Sequence, residues 1–71
     1  MMPQFSTLQI NILECVGEGL RNRDIAERIG KTENTVKNYL RRIFDLAGMG
    51  NRTELALWYV AHRNEILQSG K

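Results

Sequence analysis

Thr32-Glu33-Asn34-Thr35-Val36-Lys37-Asn38-Tyr39-Leu40-Arg41-Arg42-Ile43 is the stretch from which the rest of the chain is read. At helical period, Val36, Leu40, Ile43 and Ala47 fall within about 40° of one direction. Asn34, Lys37, Asn38 and Arg41 gather on the opposite side. A helix of this kind buries one seam and turns Lys, Arg and Asn outward. Arg and Lys pair with guanine acceptors and Asn with adenine, so the polar face suits a DNA major groove. A solvated amphipathic helix carries the same pattern, and the flanks must separate the two readings.

The upstream flank is a second, shorter apolar pattern. Ile25, Ala26 and Ile29 form the inner seam of a helix from about Asn22 or Arg23 to Ile29, with Asn22 as its cap. Gly30 ends it, Lys31 follows, and Thr32 caps the next helix with Glu33 in its first turn. Two helices joined by so short a glycine-bearing turn form a helix-turn-helix, in which the second helix projects outward.

Working outward again, Ser6 and Gln9 read as a capping box opening a first helix from about Thr7 to Val16. Leu8, Ile12, Cys15 and Val16 line its buried stripe, with Leu13 beside them, and Gly17 and Gly19 stop it. Downstream, Gly48-Met49-Gly50 bends the chain. Asn51 and Glu54 then read as a capping box for a fourth helix running to about Leu67. Residues 1–5 and 68–71 read as loose ends. The expectation is an all-α, four-helix domain spanning residues 1–71, with no repeat and no internal boundary.

Composition narrows the function classes. Seventy-one residues leave little room for a core plus a substrate pocket, which argues against an enzyme. Neither a nucleophile–base constellation nor a phosphate-binding glycine loop occurs, and no cofactor is implied. One Cys and one His, Cys15 and His62, give no basis for a zinc site. Cys15 lies in an apolar run and reads as core filling. With no long apolar run, neither a membrane span nor a membrane partner is expected, and the location expected is cytoplasmic. Charge is uneven: residues 21–42 hold seven basic residues against three acidic, whereas residues 1–20 hold Glu14 and Glu18 alone. Positive charge concentrated on one third of a chain is the footprint of phosphate contact.

Three blocks now stand in register: Gly19-Leu20-Arg21-Asn22-Arg23-Asp24-Ile25-Ala26, Thr35-Val36-Lys37-Asn38-Tyr39-Leu40 with Ile43, and Gly48-Met49-Gly50-Asn51-Arg52-Thr53-Glu54-Leu55. Together they resemble the LuxR/GerE-type helix-turn-helix family of bacterial regulators over roughly residues 5 to 57. The resemblance implies a transcription regulator that binds two-fold symmetric double-stranded DNA as a homodimer. Carried over by position, base contacts fall on Lys37, Asn38 and Arg41. Phosphate contacts fall on Thr32, Asn34, Thr35 and Tyr39, with Arg23, Arg28, Lys31 and Arg52 as supporting charges. On the residues alone, Tyr39 is either a half-buried ring or a phosphate donor, and Arg28 and Lys31 either phosphate contacts or solubilising charges. Departures from the family pattern are Leu8-Gln9 in place of Arg-Glu, Lys31 in place of an aliphatic residue, Tyr39 in place of His, and Leu46-Ala47 in place of Lys-Leu.

The fourth helix carries Leu55, Ala56, Leu57, Trp58, Tyr59, Val60 and Ala61, apolar around nearly its whole circumference. A terminal helix buries one face in its own core, so the remainder reads as an interface. Leu57, Trp58, Val60 and Ala61 are the expected dimer residues, and pairing would place two third helices about one DNA turn apart. The rival reading keeps the fold but uses Leu8 and the fourth helix to bind a partner regulator rather than DNA; RNA polymerase is the other protein partner in view. The paired initial methionines favour a stand-alone protein over a piece of a longer regulator.

Overall fold

Ser6 opens the first helix as the sequence predicts. In the computed structural model, which describes residues 3–69, its Oγ accepts the Gln9 N–H at 3.1 Å while Gln9 Oε1 accepts the Ser6 N–H at 2.8 Å. Two donors that the first helical turn leaves unpaired are thereby satisfied. Helix α1 spans Thr7–Gly17 and buries Ile10, Ile12, Leu13, Cys15 and Val16. Gly17, expected to stop the helix, instead lies inside it, and the chain reverses at Gly19. The reason is packing: a Cβ on Gly17 would sit 3.3 Å from Tyr59 Cδ2, so glycine lets α1 and the last helix approach closely.

Helix α2 spans Asn22–Ile29 and helix α3 spans Glu33–Ala47. The cap of α2 differs from the expectation. Arg21, not Asn22, occupies the cap position and offers no side-chain acceptor; Asp24 accepts the Arg21 N–H at 3.4 Å. Gly30 then adopts φ +70°, a conformation costly to any residue bearing a Cβ, and the chain enters α3 three residues later. Thr32 Oγ1 accepts the Thr35 N–H at 3.1 Å, which caps α3 as the sequence predicts.

Helix α4 spans Arg52–Ser69, with Asn51 Oδ1 accepting the Glu54 N–H at 2.8 Å. It is not one straight helix. His62 leaves helical geometry (φ −116°, ψ 17°), and its Nδ1 lies 2.9 Å from the Trp58 carbonyl oxygen, the acceptor that a regular helix reserves for the backbone four residues on. The helix extends past Leu67 through Ser69, so the expected loose C-terminus is ordered that far. Gly70 and Lys71, like Met1 and Met2, lie outside the described residues.

The four helices form two pairs, α1 with α4 and α2 with α3, and α1 also touches α2 and α3. Ile12, Leu13, Ile25, Val36, Ile43, Leu55 and Ile66 are fully buried in one shared cluster. Burial of each such side chain stabilises by about 1.5–3 kcal/mol relative to exposure. The N-terminal arm corrects another expectation. Phe5, read as part of a loose end, is 3% exposed and meets Trp58 edge-on at 6.0 Å between ring centroids. A lone aromatic outside any helix has no period to betray it. Among the described residues there is no strand, no helix long and apolar enough to cross a membrane, and no His/Cys/Asp/Glu group able to hold a metal.

Candidate nucleic-acid interface

The polar face of α3 is anchored from behind. Val36, Leu40 and Ile43 are buried against the shared core, and Ala47 packs at its edge. That fixes the rotation of the helix and leaves Asn34, Lys37, Asn38 and Arg41 exposed on the other side. Among the described residues, none of these four side chains is held by an internal hydrogen bond or ion pair. They are therefore free to meet an external partner without first breaking a contact.

The N-terminus of α3 is polar and open as well. Thr32 is exposed, Thr35 is half-buried, and their hydroxyls lie 2.9 Å apart, so the cap holds both side chains in place. The first backbone N–H groups of a helix, together with its dipole, favour a phosphate at such an end. Lys31 and Arg23 are exposed and unpaired, Lys31 directly before the cap and Arg23 in the first turn of α2. Tyr39 is half-buried and packs against the core cluster, so its ring stabilises the helix whatever its hydroxyl does.

Two of the expected supporting charges are already engaged. Arg28 Nη1 binds Glu18 Oε2 at 2.8 Å and lies 3.8 Å from Cys15 Sγ, tying α2 to the end of α1. Arg52 turns inward: Nη1 donates to Asn22 Oδ1 and Nη2 to the Leu20 carbonyl, each at 2.6 Å. Asn22 was expected as a cap and instead serves as the acceptor for this guanidinium. No local sequence signal links two positions thirty residues apart. Arg52, Asn22, Lys37 and Arg41 rim a shallow groove floored by Leu40 and the half-buried Phe44, a floor that the sequence reading did not single out.

Residues 3–59 match the family described as bacterial regulatory proteins, luxR family. The chain belongs to that family. Its relatives agree. It is 44% identical over 54 residues to the two-component response regulator PprB of Pseudomonas aeruginosa, covering 76% of this chain and 20% of that protein. It is 34% identical over 64 residues to the transcriptional regulatory protein YxjL of Bacillus subtilis, covering 90% and 28%. The DNA-binding transcriptional activator DevR/DosR of Mycobacterium tuberculosis is 43% identical over 47 residues, covering 66% and 22%. The chain thus spans less than a third of the length of these relatives. Membership in this regulator family points to DNA-binding regulation, not catalysis, and accounts for the helix-turn-helix.

On the far side of the molecule, α4 resolves which of its faces is core. Leu55, Tyr59 and Ile66 are buried, while Leu57 and Val60 are 67% and 61% exposed with Ala61 exposed beside them. Trp58, expected among the interface residues, packs instead against the core and Phe5 and is only partly exposed. Its place four residues from His62 and opposite the N-terminal arm explains the difference, since the arm was read as loose. Leu8, the other residue of the rival reading, is half-buried against the same core. Cys15 is 1% exposed, and burial pushes its thiol up despite the opposing influence of Arg28, so it fills space and is not poised to react.

Proposed function

We propose that this chain is a sequence-specific, DNA-binding transcriptional regulator that inserts α3 into the major groove as a two-fold dimer. The observation that carries the reading is the outer face of α3: Lys37, Asn38 and Arg41 exposed, unpaired and held in fixed orientation by Val36, Leu40 and Ile43. Lys37, Asn38 and Arg41 read base edges, while Thr32, Asn34, Thr35, Lys31 and Arg23 seat the helix end against phosphate. Tyr39 adds a phosphate hydrogen bond from a packed ring. Arg28 contributes charge from its pair with Glu18 and is a weaker phosphate candidate than Lys31 or Arg23.

Dimerisation runs through Leu57, Val60 and Ala61 on the outward face of α4, the feature that supports it being two large apolar side chains left mostly in water. The chain acts in the cytoplasm, where its DNA target is, and RNA polymerase is the further contact such a regulator would need. The decisive experiment selects bound duplexes from a random pool. A two-fold symmetric motif with half-sites about one helical turn apart is the expected result. A folded chain that binds no duplex at low salt would overturn the reading in favour of a module that docks a partner regulator through α4.

A further inference from the structure

We propose that Arg52 is a positioning residue for DNA recognition, fixing the start of α2 from the far helix and thereby setting the seat of α3. The proposal rests on the DNA-binding reading above and assigns Arg52 a role other than phosphate contact. Its geometry is that of a strut. Nη1 and Nη2 each spend a donor on the same short segment, one on the Asn22 side chain and one on the Leu20 carbonyl, both at 2.6 Å in a partly buried setting. The planar guanidinium fork suits two acceptors held side by side, which a lysine ammonium cannot match.

The start of α2 is where such a strut is needed. The cap residue Arg21 offers no side-chain acceptor, and the bond from its N–H to Asp24 is long at 3.4 Å. Helix α2 is only eight residues long, yet it buries Ile25 and Ala26 and packs chiefly on α3. Helix α4 packs chiefly on α1, so the two bonds of Arg52 are a direct polar tie between the apolar outer helix and the reading pair. Loosening that tie frees the start of α2 and lets α3 shift against the groove while the core stays closed.

The test uses the 71-residue chain with Arg52→Lys, Arg52→Ala and Asn22→Ala, each measured at a temperature where melting shows it fully folded. Affinity for a duplex recovered from the random-pool selection is followed across salt concentrations. A positioning role predicts that Arg52→Lys and Arg52→Ala each lose about tenfold in affinity, with the salt slope unchanged from the parent. Asn22→Ala should lose part of this and add little when combined with Arg52→Ala. In both Arg52 variants the amides at the start of α2 should exchange faster in the absence of DNA. The proposal is overturned if Arg52→Lys binds like the parent while Arg52→Ala flattens the salt slope by about 0.9, the signature of one lost phosphate contact. It is equally overturned if the fully folded variants bind normally and only their melting points fall. Should the parent bind no duplex, the proposed function fails by itself, and amide exchange alone decides the strut: unchanged protection at α2 rejects it.

Discussion

The two helix pairs of this molecule share one core but turn opposite chemistry to the outside. The α2/α3 pair presents Lys31, Lys37, Asn38 and Arg41, exposed and unpaired. The α1/α4 pair presents Leu57 and Val60, apolar and exposed, and holds Glu14 between its own helices, with Tyr59 Oη donating to Glu14 at 2.9 Å and Arg63 bonded to Glu14 at 2.7 Å. Unpaired cations cost little in water and attract phosphate; exposed Leu and Val gain only by being covered. One small fold thereby carries an exposed cationic face and an exposed apolar one.

If the two pairs were separate units, each would melt by itself. Ile25→Ala in α2 and Leu55→Ala in α4 both empty fully buried positions, and each should cost about 2–5 kcal/mol of global stability. Circular dichroism melts should remain single transitions in both; an early, partial melt confined to one pair would mean that the core is not shared.

A second test concerns the buried tyrosine of the α1/α4 pair. Desolvation, together with the neighbouring Glu14, pushes the Tyr59 hydroxyl up to about 12 from its usual 10. The folded state therefore holds this proton where the unfolded chain has lost it. Stability from Tyr59 is full below pH 10 and is lost as pH rises through about 12, a decline of about 2–3 kcal/mol. Urea titrations of the parent and of Tyr59→Phe between pH 9 and 12 should diverge over that window. Parallel curves would show that the hydroxyl is not sequestered.

Lys37→Ala and Arg41→Ala should each cost about 1–3 kcal/mol of specific DNA affinity. Melting points should barely move, because both side chains are exposed and, among the described residues, neither makes a hydrogen bond or ion pair within the fold. Fluorescence anisotropy with matched and single-mismatch duplexes would register lost discrimination at the base each one reads. A uniform loss across sequences would instead place them on phosphate.

The smallest thermodynamic effect belongs to the opposite face. Leu57→Glu should change monomer stability by no more than about 0.5 kcal/mol, since the side chain is already in water. Sedimentation at high micromolar concentration should then give monomer only, and binding to a full two-fold site should weaken while binding to a half-site does not. An unaltered sedimentation profile that still shows dimer would move the interface elsewhere.

Much of this was legible in the chain. The seam of Val36, Leu40 and Ile43, the caps at Ser6 and Thr32 and the turn at Gly30 all follow from local rules, because helical period, side-chain capping and left-handed backbone act over four residues or fewer. The polar face of α3 follows from the same periodicity. What escaped was non-local or aperiodic. Phe5 sits outside any helix, so nothing in its neighbours shows that it packs on Trp58. Gly17 reads as a helix stop, whereas its missing side chain makes room for Tyr59, forty-two residues later. The bend at His62 depends on a side chain competing for a carbonyl within an otherwise helical pattern.

The four helices, the helix-turn-helix and the side of α3 that turns outward are each settled by residues close along the chain. Tertiary packing sets which face of α4 is core, because that helix is apolar on most sides and periodicity cannot choose among them. It alone also turned Arg52 inward. A cation near a basic surface reads as a phosphate contact until two acceptors, at Leu20 and Asn22, are brought within 2.6 Å by the packing of helices far apart in sequence.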